Sequence, residues 1–174
     1  MARCPLATSL NRPTNKSLRI IVIVISVLLT ASLWSCSPKR VATSSFRSLD
    51  VDSGWHRSMP LVFTPQYGDS ALRYDVTLAV RHTNAYPYAN LSLVVDMMGG
   101  DSASKNRRSV NFALADDAGN WQGAGFGTLY QAQTLLAHNV TPETVSRVVV
   151  WQAMANVETL GQITDVGIIV TPIE

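Results

Sequence analysis

Cysteine is scarce in this sequence of 174 residues: Cys4 and Cys36 are the only two. That excludes a disulfide-stapled scaffold and a multi-thiolate metal site, both of which need more sulfur. Catalytic signatures are missing as well. His56, His82 and His138 stand in no H-x-x-H or H-E-x-x-H spacing, and there is no G-x-S-x-G elbow, phosphate loop or dinucleotide fingerprint. No apolar run reaches the roughly 20 residues that a spanning helix needs. The longest, Ile20 to Trp34, has 15. Charged residues are only 15% of the chain against 47% hydrophobic, which excludes a disordered protein. Neither an enzyme nor a cofactor is expected.

What is present begins with a leader. Arg3, Arg12, Lys16 and Arg19 precede the apolar run with no acid among them, and Ser26, Thr30 and Ser32 interrupt its second half. A basic start, a short apolar core and small residues near its end form the secretory pattern. The run closes in Leu33-Trp34-Ser35-Cys36, which resembles a lipobox: branched aliphatic, small residue, then a thiol to accept lipid. Trp34 departs from the small residue usual at its place. Residues 1–35 are therefore read as a lipoprotein signal peptide and Cys36 as the lipidated N-terminus. Acyl chains such as palmitate anchor at about 0.8 kcal/mol per buried CH₂. Ser37 rather than Asp follows Cys36, and Pro38-Lys39-Arg40 brings no acidic run. That pattern predicts attachment to the outer membrane, facing the periplasm.

Removing the leader leaves 10 basic and 12 acidic residues, so the exported part carries about −2. Such a domain lacks the basic footprint that nucleic acid requires. Lys105, Arg107 and Arg108 are too short a cluster to supply one and read as a solvated loop. Residues 36–45 are polar and aperiodic, a flexible tether ahead of a domain over 46–174. There the period is two. Tyr74, Val76, Leu78 and Val80 alternate with Asp75, Thr77 and Arg81; Leu91, Leu93, Val95 and Met97 repeat the theme, as do Val110, Phe112 and Leu114, and Val166, Ile168 and Val170. Val148–Met154 is apolar on both faces, as a central strand is. Helical signals are confined to a turn or two over Leu129–Ala137 and a start at Thr141-Pro142-Glu143. Seven to nine antiparallel strands in a jelly-roll-like β-sandwich are predicted, an all-β fold.

Three stretches invite a functional reading. In Arg81–Leu91, Tyr86 and Tyr88 flank Pro87 between two strands; the stretch is either a shaped loop capping the sandwich or an aromatic surface for sugar or partner. Trp55 and Trp121 are ambiguous in the same way. The glycines of Gly123–Gly127 read as a bulge or a close backbone approach. Asp116-Asp117 beside Gly119-Asn120 reads as an Asx turn.

The lipobox, Trp55, Phe63, then YDVTLAVRHTNAYPYANLSLVVDM and FALADDAGNWQGAGFGTLYQ together resemble the gliding-motility lipoprotein GldH family. The most specific pieces are R-x-x-x-x-Y-P-Y-x-N-L (Arg81 to Leu91) and L-A-D-x-x-G-x-W-x-G-x-G (Leu114 to Gly125). The resemblance implies an accessory envelope lipoprotein without enzymatic activity, linked to the gliding and type IX secretion machinery and working through protein contacts. Arg81, Tyr86, Tyr88, Asn90 and Trp121 are its candidate contacts with a partner or, on the alternative reading of a carbohydrate- or peptidoglycan-binding module, with glycan. Asp69-Ser70-Ala71 and Asp101-Ser102-Ala103 resemble O-glycosylation acceptors of such bacteria, which would place glycans on Ser70 and Ser102.

Overall fold

The computed structural model describes residues 41–69, 72–100 and 105–173, together with Lys16. The signal peptide, Cys36 with the start of the tether, Ser70 and Ser102 lie outside those residues. The described residues from Val41 onward belong to one compact unit. Over 41–173 the described residues contain strands and no helix. The strands are β1 (Thr43–Ser48), β2 (Trp55–His56), β3 (Leu61–Phe63), β4 (Arg73–Thr83), β5 (Asn90–Met98), β6 (Lys105–Ala113), β7 (Ala124–Phe126), β8 (Leu129–Val140), β9 (Arg147–Gln152), β10 (Thr159–Leu160) and β11 (Ile163–Ile173).

Period-two alternation builds the two main layers. In β4, Tyr74, Val76, Leu78, Val80 and His82 are buried while Asp75, Thr77, Arg81 and Thr83 lie on the other face. Val166, Ile168 and Val170 of β11 sit opposite Val80, Leu78 and Val76. Cross-strand pairs of β-branched and aliphatic side chains suit a pleated, half-buried surface. One antiparallel sheet runs β1-β11-β4-β8-β7 and the other β3-β9-β5-β6; β2 and β10 form a small pair apart. Leu91, Leu93 and Val95 of β5 and Val148 and Val150 of β9 are completely enclosed, and join the β4 and β11 residues in one core. Each such side chain contributes roughly 1.5–3 kcal/mol on burial.

Taking β1, β3, β4, β5, β6, β8, β9 and β11 as first to eighth, one sheet reads first-eighth-third-sixth and the other second-seventh-fourth-fifth. This is the jelly-roll order, in which successive strands cross between the layers except for the fourth and fifth, which pair with each other. The predicted sandwich is thus borne out, and β9 sits between β3 and β5 as a central strand.

Four local readings are corrected. Leu129–Ala137 is not helical: it lies in β8, a strand of twelve residues that pairs with β4 along most of its length. Thr141-Pro142-Glu143 opens a tight turn, with Thr144 N donating to Thr141 O at 3.0 Å, and no helix follows. Among the described residues there are eleven strands, more than the seven to nine predicted, and the excess comes from β2, β3, β7 and β10, which are only two or three residues long. β1 also takes in Thr43–Ser45, residues placed above in the tether.

Candidate functional site

Both signature segments arrive at the same pole of the sandwich. Arg81–Leu91 leads from the end of β4 into β5, and Leu114–Gly125 leads from β6 into β7. They are stitched by backbone: Leu114 N and Ala115 N donate to Ala89 O at 2.8 and 3.0 Å, and Gln122 N donates to Leu114 O at 2.7 Å. The second loop is shaped by Asp116, whose Oδ1 accepts from Ala118 N (3.0 Å) and Asn120 N (2.8 Å) and whose Oδ2 accepts from Asn120 Nδ2 (3.0 Å). The expected Asx turn is this arrangement. Hydrogen bonds from the Asn120 side chain, then from its backbone N–H, hold the Asp116 carboxyl below its usual range.

At the centre stands His82, completely enclosed. Its ring lies 4.7 Å from that of Trp121, 5.5 Å from Tyr86 and 5.7 Å from Tyr130, the last stacked. Nδ1 contacts Thr83 O at 2.9 Å, and a carbonyl only accepts, so Nδ1 carries the proton. Nε2 is then a bare acceptor, buried with no hydrogen-bond partner among the described residues. Desolvation lowers the imidazole pKa, against a smaller opposing effect of Thr83 O. The Tyr86 hydroxyl donates to Asn90 O at 3.1 Å; its pKa is raised, first by burial and then by neighbouring Tyr88.

One residue earlier in β4, Arg81 points to the opposite face. Its guanidinium lies 4.2 Å over the Phe46 ring, and its Nε donates to Gln131 Oε1 at 2.7 Å. Phe46 lies flat because Gly167 is opposite it; a methyl there would fall on the ring. Beside Arg81 opens a cleft of about 300 Å³, walled by Tyr130, Asp165 and Phe126. Phe126 and Leu129 close the two-residue β7–β8 turn, where Gly127 has φ 63°, and they are 91% and 42% exposed.

The candidate residues therefore divide. Tyr86, Tyr88 and Trp121 come together: Tyr86 is 3% exposed, Tyr88 packs edge-on against it at 5.6 Å, and Trp121 is half-buried. The Tyr86 ring faces inward and presents no face to solvent. Asn90 is exposed, and Arg81 lies across the sheet. Sequence reasoning missed His82 as the hub and Phe126 as the exposed ring. His82 was legible as an inward position of β4, whereas Phe126 was hidden among glycines. The other histidines stand apart, His56 3.3 Å from Glu158 and His138 2.7 Å from Asp75. Among the described residues no three His, Cys, Asp or Glu side chains converge.

Comparison with known proteins agrees with the sequence motifs. The gliding motility lipoprotein GldH of Flavobacterium johnsoniae is 29% identical over 149 residues, covering 82% of this chain and 91% of that protein. A gliding motility lipoprotein GldH homolog of Christiangramia forsetii is 24% identical over 156 residues, covering 85% and 91%. Among solved structures, a Tobacco streak virus coat protein aligns at TM-score 0.33 and 10% identity over 79% of this chain and 90% of that one, too distant to carry an argument. The GldH lipoprotein family matches residues 43–170, and the chain belongs to that family.

Proposed function

We propose that this protein is a non-catalytic accessory lipoprotein of the gliding machinery, held through Cys36 on the periplasmic face of the outer membrane. In this reading it works by docking an envelope protein at the pole where its signature segments meet. The observation that carries the reading is Phe126, 91% exposed at a hairpin tip and flanked by Leu129 and the Arg81 cleft. An exposed aromatic beside an arginine is the composition of an interface anchor. Its position supports the same reading. The chain enters β1 at Thr43, level with Val170 and Val76, whereas Leu129 is level with Thr83. Seven residues of strand, about 23 Å, separate the two levels. Phe126 thus lies at the end of the domain opposite the point where the chain enters β1.

Crosslinking in native membranes, followed by pull-down of the wild type and of Phe126→Ser, tests the docking. Recovery of an envelope protein by the wild type and its loss in a variant of unchanged melting temperature are expected. Equal recovery by both moves the contact elsewhere. Cys36→Ala is expected to abolish palmitate labelling and membrane fractionation; an unaltered variant ends the anchoring part.

A further inference from the structure

The flank of the sandwich between β6 and β8 holds unpaired backbone. Asn84 N donates to Thr128 O at 2.8 Å, so Thr128 turns its backbone groups toward β4, and Tyr130, Ala132 and Thr134 do the same by alternation. Leu129, Gln131 and Gln133 turn theirs outward. β7 covers Leu129 through Gln131 and stops: Gly123, at φ 91°, turns the chain aside, and Gln122 N goes to Leu114 O instead. Among the described residues no strand lies beside Gln133 on that side. Across the flank, Leu114 N donates to Ala89 O, so Phe112 and Val110 face β5 while Ala113 and Asn111 turn outward from the edge of the other sheet.

These two edges border a groove of about 430 Å³ whose lining includes Asn111, Ala113, Gln122, Gln131 and Gln133 and no charged residue. Arg108 closes the flank beyond it, its guanidinium reaching from β6 to donate to Leu135 O at 3.2 Å and to Leu136 O. A charged side chain capping an edge is the usual protection against strand addition. Here it stops short of Gln133.

We infer that this groove takes an uncharged, extended peptide segment of a partner protein, which adds as a strand beside Gln133 and against the edge of β6. The inference deepens the partner-docking reading above and rests on it, but uses a different surface. The complement of an unpaired N–H and C=O is another backbone. The neutral lining favours an uncharged segment. A second copy of this domain does not fit, because a sandwich edge is itself two sheets about 10 Å apart and cannot enter a gap between two sheets. A lone strand does.

The test selects a random linear heptapeptide library on the full-length lipidated protein in detergent, then titrates the selected peptides into variants. Gln133→Pro removes the outward N–H without breaking a ladder bond, the one arrangement in which a strand tolerates proline. Gln133→Ala removes only the side chain. Selected peptides are expected to bind the wild type and Gln133→Ala within about twofold and Gln133→Pro at least about tenfold more weakly, with the Gln133 amide slowed in hydrogen exchange on binding. If Gln133→Pro fails to fold, that amide's protection in the wild type decides. Failure to enrich any peptide, equal binding to Gln133→Pro, or an unprotected amide overturns the inference. So does a glycan-array signal lost in Gln133→Ala, which assigns the groove to sugar, or a dimer abolished by Gln133→Pro, which assigns it to self-association. A partner recovered through Phe126 alongside any of these leaves the docking reading standing.

Discussion

Replacing His82 by Phe is expected to erase one component of the pH dependence of folding. Burial depresses the His82 pKa below 6.5, while the unfolded chain keeps the ordinary value. Below pH 6.5 the unfolded chain therefore binds a proton that the folded one refuses. The stability is complete above 6.5, falls as pH drops toward the folded value, and is level beneath it. One proton fixes the steepest slope at about 1.4 kcal/mol per pH unit. With a urea m-value of roughly 1–3 kcal/mol/M, the midpoint moves by about 0.5–1.4 M per unit. Among the described residues no charge is a cause of the shift, and the ring neighbours are Tyr86, Trp121 and Tyr130, with Ile163 opposite on β11. At neutral pH the variant should lie within about 1 kcal/mol of the wild type: it loses one hydrogen bond but relieves the unsatisfied Nε2. Thr83 O keeps a partner in Tyr86 N at 3.2 Å. Urea midpoints between about pH 5 and 7.5 measure the difference. An unchanged slope in His82→Phe, or a wild type that gains stability on acidification because the rings hold the imidazolium, refutes the argument.

Other perturbations follow from the same geometry. Gly123→Ala puts a side chain at φ 91° and a methyl onto Gln131 O, so thermal unfolding should show a loss of roughly 2 kcal/mol. Gly167→Ala should lift the Phe46 ring from under Arg81 and cost about 1 kcal/mol; the same change in a Phe46→Leu background should cost less, as a double-mutant cycle will report. Asp116 has a depressed pKa, so its contribution is present above the ordinary carboxylate value of 3.8 and lost as pH falls through the folded value. Asp116→Ala should accordingly melt lower than the wild type at neutral pH, the two converging in strong acid.

The long strands were legible because one face of each is fully enclosed, so its apolar residues recur at every second place; β4, β5 and β11 announce themselves in this way. β8 did not. Its inward positions include Ala132 and Thr134, its outward ones Leu129 and Leu135, and Leu, Ala and Gln favour helix locally. Pairing with β4 along most of its length overrides that preference. The short strands were invisible for want of length. At the pole, the Tyr86 loop was recognisable as unusual, but its meeting with Trp121 joins positions far apart in the chain and depends on the fold. The free backbone at Gln133 is a property of strand order and leaves no trace in residue type.

The antiparallel pairing of β1 with β11 has a mechanical consequence. Thr43 through Ser48 oppose Val170 through Asp165, and the chain arrives at the Thr43 end. A load applied between Thr43 and the opposite pole runs along the strand axis, so it shears the whole ladder at once instead of peeling it rung by rung. Shear is the more resistant geometry, so the domain is stiffest to a pull along this axis.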